Sequence, residues 1–289
     1  MIAFVTCVLI LLVMQPCIAA EPQSVEVLIV VGPSSHPPGT HEVAAGARLI
    51  KYCLEHAPGT RYAVRIVDDW PRDETMLSKT ATVVFTGDEF PLAKLKDSQR
   101  KMRALGALMD RGCGIFCYHY ATGVPANTFA DDGSHPLLQW MGGCFCSRYA
   151  RHKGIARIMQ HVTITPKAKD HPVMRGVQPF TIDDEPYFNN YFGVNGMAHN
   201  VTALATSMLP PEAPKEEVVA WAIQRPDGGR GMGVVVPHFF KNWQVDSLRT
   251  LILNGIIWTA KQEVPKDGLH VALPALETFK PAAVEPTKK

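Results

Sequence analysis

Residues 25–32 read VEVLIVVG and residues 33–42 read PSSHPPGTHE. Together these two stretches indicate the class of fold. The first is an apolar run bounded by turn residues, which predicts a buried strand. The second holds the prolines and glycine of a turn, together with His36, His41 and Glu42. Ligands of open α/β sheets bind beyond the carboxyl ends of the strands, so these polar side chains lie where a site is expected.

Strand and helix patterns alternate through the first half of the chain. Residues 42–56 have apolar side chains at helical spacing, and Thr40 is a suitable N-cap for that helix. A second helix is predicted at 95–110, and further strands at 62–67, 81–86 and 114–120. This alternation predicts an α/β fold in which helices cover both faces of a parallel sheet.

The second half of the chain is less regular and ends in a tail. Strands are predicted at 155–165, 218–224 and 232–236, and a glycine-rich turn joins the last two as a hairpin. The final strong helix is predicted at 244–260. Residues 263–289 are rich in proline and lysine without periodicity, so we expect this tail to be largely extended or disordered.

The N-terminus resembles a secretory signal peptide. Residues 1–20 form an apolar run that ends in small residues, with a cleavage site expected near Ala20. A chain cleaved there is periplasmic or secreted, and an uncleaved segment that anchors the protein is the alternative. Residues 21–262 then have a suitable length for one large α/β domain.

Charge and cysteine content narrow the class of partner. The 29 Lys and Arg residues are scattered and nearly balance the 27 Asp and Glu residues, which disfavours nucleic acid and anionic membrane surfaces. We therefore expect a small or neutral partner.

Seven cysteines become five once Cys7 and Cys17 leave with the signal peptide. An odd number favours buried thiols over a disulfide framework.

Three further segments place polar side chains beyond strand ends. His119 closes the buried segment 114–123 (GIFCYHYATG), either as a site residue or as a core histidine bonded to a backbone carbonyl. The acids of 182–187 (IDDEPY) form either a solvated turn or a general base or metal ligand. His238 follows the last core strand, and Trp243 nearby offers a flat face for stacking on a sugar ring.

Together these segments resemble the ThuA-like (trehalose-utilisation) family of the class I glutamine amidotransferase-like superfamily. The matching stretches lie at 36–50, 114–123, 171–187, 229–243 and 248–260. The resemblance implies a flavodoxin-like three-layer sandwich with a mostly parallel central sheet and helices on both faces. It also implies disaccharide or keto-sugar metabolism, with a divalent metal in a pocket formed by the carboxyl-end loops.

Within that pocket we assign three expected roles and no nucleotide cofactor. The expected ligands of a divalent ion such as zinc or manganese are His36, His41 and His238. The candidate catalytic residues are His119, Asp184 and Glu185. The expected contacts to substrate are Glu42, Tyr120, Tyr187 and Trp243.

The same comparison argues against glutamine amidotransferase activity. That reaction needs a cysteine thiolate at a sharp turn after a strand, activated by a histidine. The turn position here carries His119, whereas Cys117 lies two residues earlier and deeper in the strand. The sequence also lacks a GxSxG motif, which leaves a serine hydrolase without support.

The leading hypothesis is an exported hydrolase or lyase that acts on a sugar or keto-glycoside with the help of a metal. One alternative is a non-catalytic carbohydrate-binding domain that uses Trp243, Tyr187 and Tyr120 as stacking faces. The other is a structural or partner-binding domain whose histidines are incidental. Alanine substitution of the histidines separates these hypotheses, because only an enzyme loses turnover while its fold persists.

Overall fold

The structure is a computed structural model that describes residues 24–90, 92, 95–146 and 152–280. The predicted signal peptide and the end of the tail lie outside the described residues. The strands are β1 (Val25–Val31), β2 (Tyr62–Val67), β3 (Thr80–Thr86), β4 (Gly114–Tyr118), β5 (Ile155–Ala156), β6 (Met159–Pro166), β7 (Phe180–Asp184), β8 (Tyr187–Phe188), β9 (Val201–Leu209), β10 (Lys215–Gln224) and β11 (Arg230–Val234). The helices are α1 (Val43–Glu55), α2 (Ser98–Asp110), α3 (Pro136–Met141) and α4 (Asp246–Thr259). None of the helices in these ranges is long and apolar enough to cross a membrane.

Nine of these strands form one sheet in the order β2-β1-β3-β4-β11-β10-β9-β6-β7. The first five are parallel to one another. The last four continue the sheet by antiparallel pairing, beginning with the predicted hairpin of β10 and β11. The apolar runs of β1 and β4 are buried, as expected for strands with both faces covered. The predicted α/β fold is therefore confirmed.

Helices cover both faces of the parallel part of the sheet. In α4, Gly255 lies against Phe116 of β4 and Met232 of β11. Gly231 precedes Met232 and therefore faces the other side, because successive residues of a strand alternate between faces. There a Cβ would come within 2.0 Å of the carbonyl oxygen of Trp140 in α3. A side chain at Gly231 would thus push α3 away from the sheet.

The start of the first helix differs from the prediction. Thr40 is not the N-cap, because α1 begins at Val43 and Glu42 occupies that position. The hydroxyl of Thr40 donates instead to the carbonyl of Pro37 and so stabilises the turn. The sequence patterns also missed the strands β7 and β9 and the helix α3, whose six residues are too few for a periodic signal.

The described part of the tail is packed against the domain. Between 263 and 280 the backbone has one short 3-10 helix, which fits the expectation of an extended segment. Four of its apolar side chains are nevertheless buried, namely Val264, Leu269, Leu276 and Phe279. The Phe279 carbonyl accepts a hydrogen bond from Arg48 of α1 at 2.6 Å. Burial of these apolar side chains holds this part of the tail on the domain.

One buried and one half-buried histidine make folding stability depend on pH. His135 accepts the N–H of Leu137 at the start of α3, and His171 accepts the N–H of Val173. Burial lowers the pKa of each ring to about 4, whereas an unfolded histidine titrates at about 6.5. The unfolded chain therefore binds more protons between these values, so we expect the free energy of unfolding to rise from about pH 4 to about pH 6.5.

Urea unfolding across that pH range measures this dependence. The variant His135→Gln/His171→Gln should show a shallower rise than the wild type, because glutamine keeps a hydrogen-bond acceptor but does not titrate. His199→Gln is the control, since His199 is exposed. An unchanged slope in the double variant would show that these two rings do not cause the dependence.

Candidate metal centre

Neighbouring parallel strands bring the candidate site together at their carboxyl edge. His41 follows β1, Asp88 follows β3, His119 follows β4 and His238 follows β11. These four strands are adjacent in the order β1-β3-β4-β11. Glu185 reaches the same place from the turn between β7 and β8. The site thus lies where the rule for open α/β sheets predicts it.

Three imidazole nitrogens and one carboxylate oxygen converge at this edge. The Nε2 atom of His41 lies 2.8 Å from Nε2 of His119 and 3.0 Å from Nδ1 of His238. The latter two atoms are 3.1 Å apart. An oxygen of Glu185 lies 3.3 Å from Nδ1 of His238 and 3.8 Å from Nε2 of His119. We call His41, His119, His238 and Glu185 the ligand cluster; their four atoms lie within 4.8 Å of one another.

His119 occupies a sharp turn directly after a buried strand. It follows the last residue of β4 and begins a 3-10 turn with φ of 47°, a left-handed conformation that is uncommon for a residue with a side chain. This is the position at which an amidotransferase would carry its cysteine. Cys117 lies inside β4, and burial raises the pKa of its thiol well above the ordinary value. A thiolate nucleophile therefore has no place in this turn.

Hydrogen bonds on the far side of two rings fix their tautomers. The Nδ1 atom of His119 lies 3.0 Å from the carbonyl oxygen of Val235, which can only accept, so Nδ1 carries the proton. The Nδ1 atom of His41 lies 2.7 Å from a carboxylate oxygen of Asp88. In a neutral ring the other nitrogen then carries a lone pair. The Nε2 atoms of His41 and His119 thus point their lone pairs toward each other.

The protonation states support this assignment. Burial lowers the pKa of His41 below its ordinary value and lowers the pKa of His119 well below it, which favours the neutral form of both rings. Burial opposes ionisation of Asp88, but hydrogen bonds from His41 and Ser35 outweigh it and bring the pKa of this carboxyl far below its usual range. Asp88 is therefore an ionised acceptor that orients the His41 ring.

The ligand cluster has the chemistry of a cation site. Two lone pairs 2.8 Å apart repel each other unless a positive centre lies between them. Nitrogens that share one metal ion at about 2.0–2.1 Å lie about 2.9–3.4 Å apart, close to the spacing here. With its proton on Nε2, His238 contributes a third lone pair. Three imidazoles with one carboxylate suit zinc or manganese, so the residues fit a divalent ion.

Asp184 lies behind the ligand cluster, where it binds the backbone of the site. It is fully buried, and its carboxylate accepts the backbone N–H groups of His238 and Glu185, each at 2.8 Å. The side chain of Asn242 donates to its second oxygen. Burial raises the pKa of Asp184 to about 6. Asp184, predicted as a catalytic residue, thus lies behind the site and holds its backbone, whereas Glu185 faces the histidines.

His36 lies beside the ligand cluster rather than within it. Its Nδ1 atom is 3.0 Å from Asp88, and its ring stacks on that of His41 at 3.6 Å. It therefore belongs to a second potential metal group, with Asp88 and His41. In the converging set, His119 takes the place that the sequence prediction gave to His36.

Asp88 is the residue that sequence reasoning missed. It contacts both His36 and His41 and thereby connects the mouth of the site to the ligand cluster. Its position could have been found by the rule that identified the histidines, because Gly87 and Asp88 directly follow the predicted strand at 81–86. The signal is weak there because one acid after a strand is common in turns.

Two of the aromatic side chains are not stacking faces for a sugar ring. Trp243 and Tyr187 are each only 2% exposed. The ring of Trp243 packs edge-on against Tyr118 at 5.7 Å, and that of Tyr187 lies against Phe145 and His119. Large apolar rings gain most from being buried, and that gain decides their position here. The carbohydrate-binding alternative thus loses two of its three predicted contacts.

Tyr120 and Glu42 lie at the mouth of the site. Tyr120 is half-buried, with its hydroxyl 3.4 Å from a carboxylate oxygen of Glu89. The carboxylate of Glu42 accepts the N–H of Gly39 at 2.7 Å and so supports the turn. Both residues line a cavity of about 20 Å³ beside His41, which has room for one water molecule or ion.

Fold and site together define a doubly wound α/β protein with a three-histidine centre at the carboxyl edge of its sheet. The family model described as trehalose utilisation, ThuA, matches residues 26–259. The chain therefore belongs to the ThuA family, as its sequence stretches predicted.

Solved structures with this fold include other ThuA-like proteins. One described as ThuA-like, from Bacteroides uniformis ATCC 8492, is 15% identical with a TM-score of 0.60, over 86% of this chain and 96% of that chain. Another, from Parabacteroides merdae ATCC 43184, is 16% identical with a TM-score of 0.56, over 86% and 95%. A glutamine amidotransferase from Thermotoga maritima is 10% identical with a TM-score of 0.45, over 83% and 97%. No curated protein sequence matches the chain.

We expect Asp88→Asn to weaken zinc binding about 10–100-fold, because asparagine loses the charge that orients the His41 ring. Competition with a chromogenic chelator measures the zinc affinity. Asp132→Asn is the matched control, since Asp132 accepts the N–H of Ser134 in an exposed turn. Wild-type affinity in Asp88→Asn would mean that the carboxylate does not support the ligand.

Proposed function

We propose that this protein is a metal-dependent enzyme that acts on a sugar or keto-glycoside by hydrolysis or elimination. The observation that carries the proposal is the convergence of neutral imidazole nitrogens and one carboxylate in the ligand cluster. The family description, trehalose utilisation, supports a sugar as substrate. We also propose that the protein is exported, on the strength of the apolar residues 1–20.

The ligand cluster holds the metal in this proposal. Its donors are three imidazole nitrogens and one carboxylate oxygen, a set that both zinc and manganese accept. A bound divalent ion would polarise a carbonyl or hydroxyl of the sugar, or lower the pKa of a water molecule. Either effect serves hydrolysis and elimination.

The protein's own contribution is to fix the donors before any ligand arrives. Asp88 and the Val235 carbonyl orient the rings of His41 and His119. Asp184 holds the backbone on both sides of the site, through the N–H groups of His238 and Glu185. Donors held in this way need little reorganisation when a ligand binds. Such preorganisation increases the affinity of metal sites and the rate of catalytic sites.

Proton transfer needs a group that reaches the substrate. The oxygens of Asp184 are occupied by backbone and amide donors, so Asp184 cannot take this role. Glu185 is the acid that faces the ligand cluster, with 19% of its side chain exposed. We therefore assign to Glu185 the role of fourth ligand or general base.

Elemental analysis of the mature protein, purified without chelator, tests the proposal. We expect stoichiometric zinc or manganese in the wild type and none in His41→Ala/His238→Ala. His161→Ala is the control, because 85% of the His161 side chain is exposed. A screen of glycosides and keto-glycosides should then give turnover that chelator abolishes and that the double variant lacks.

Two results would contradict the proposed function. One is a wild-type protein that binds neither zinc nor manganese even after the ion is added. The other is turnover that survives both chelation and the double substitution. Circular dichroism of each variant establishes that a lost activity is not a lost fold.

A further inference from the structure

The hydroxyl of Tyr187 lies inside the site, although its ring cannot serve as a stacking face. The oxygen is 3.1 Å from Nε2 of His119, the nitrogen that faces the other members of the ligand cluster. Because that nitrogen carries a lone pair, the tyrosine donates this hydrogen bond.

Packing on both faces holds the ring in this position. Phe145 stacks on it with ring centres 4.1 Å apart, and the His119 ring stacks at 4.6 Å. The backbone is held by pairing of β8 with β5, where Tyr187 lies opposite Ala156. The hydroxyl is thus aimed at the ligand cluster and has little freedom to turn away.

Metal binding and the tyrosine compete for the same lone pair. A nitrogen in an imidazole ring has one lone pair, so His119 cannot bind an ion and accept from Tyr187 at once. A buried hydroxyl left without an acceptor is unfavourable, because it has lost its hydrogen bonds to water and gained none in return. With the ion in place, the Tyr187 hydroxyl needs a new acceptor next to the ligand cluster, and an oxygen of the bound substrate would supply it.

We propose that Tyr187 is a catalytic residue that donates a hydrogen bond to the substrate oxygen brought to the ligand cluster. The class of ligand is a sugar carbonyl or hydroxyl, and the bond strengthens as negative charge develops on that oxygen. This inference rests on the proposed metal-dependent function. It changes the expected role of Tyr187 from a stacking face to a hydrogen-bond donor.

Calorimetry with acetohydroxamate as an oxygen-donor probe of the zinc-loaded protein tests the proposal. We expect Tyr187→Phe to keep its zinc content and to bind zinc at least as tightly as the wild type, because the competing hydroxyl is gone. We expect the same variant to bind the probe about tenfold more weakly. In the keto-glycoside assay we expect kcat to fall about 100-fold. Tyr191→Phe is the matched control, because this buried tyrosine donates to the Gly133 carbonyl and should leave both values unchanged.

The outcomes separate this proposal from the proposed function. Wild-type affinity of Tyr187→Phe for the probe would overturn the donor role, and loss of zinc from that variant would reassign the hydroxyl to support of the ligands. Both results leave the metal-dependent function standing. If the wild-type protein binds neither zinc nor manganese, the metal-dependent function and the donor role of Tyr187 are both overturned.

Discussion

Repulsion between two imidazole lone pairs is the constraint on which the site depends. The rings of His41 and His119 are buried, which lowers the pKa of each, and each is held by a partner behind it. Without a cation the Tyr187 hydroxyl satisfies only one of these two lone pairs, that of His119, so the arrangement remains unfavourable where water is excluded. The surrounding fold must therefore supply the stability that holds the two rings together. It does so with a sheet and helices whose apolar side chains are buried on both faces.

Two buried acids support this arrangement in different ways. Asp88 is ionised and acts on side chains, since it accepts from His41 and contacts His36. Asp184 acts on the backbone and has its pKa raised by burial, so its charge is less favourable than that of Asp88. Neither has to touch a substrate to be needed. Together the two acids hold four donor atoms close to one another at the carboxyl edge of the sheet, although each donor comes from a different loop.

The sequence predicted much of the fold and the location of the site, because hydrophobic period and strand ends are local signals. The same signals picked out His119 and Glu185, which the structure brings together with His41 and His238. It did not identify Asp88, since one acid in a turn carries little information. The sequence does not show which acid near residue 184 points toward the histidines. It also led to the expectation that one face of the Trp243 ring is exposed, whereas the ring is buried. Those outcomes depend on packing between elements that are distant in the sequence.

Asp184 accepts hydrogen bonds from two backbone N–H groups, and these bonds do not depend on the side chains at residues 185 and 238. The carboxylate fixes the Cα positions of residues 185 and 238 through peptide atoms, which every amino acid except proline provides. The spacing of two donors is thus independent of which side chains occupy these positions. Exchange of carboxylate for imidazole, or the reverse, would change the hardness of the donor set while the frame stays intact. Single substitutions at these positions would therefore change the ion preference of the proposed metal site while the scaffold stays the same.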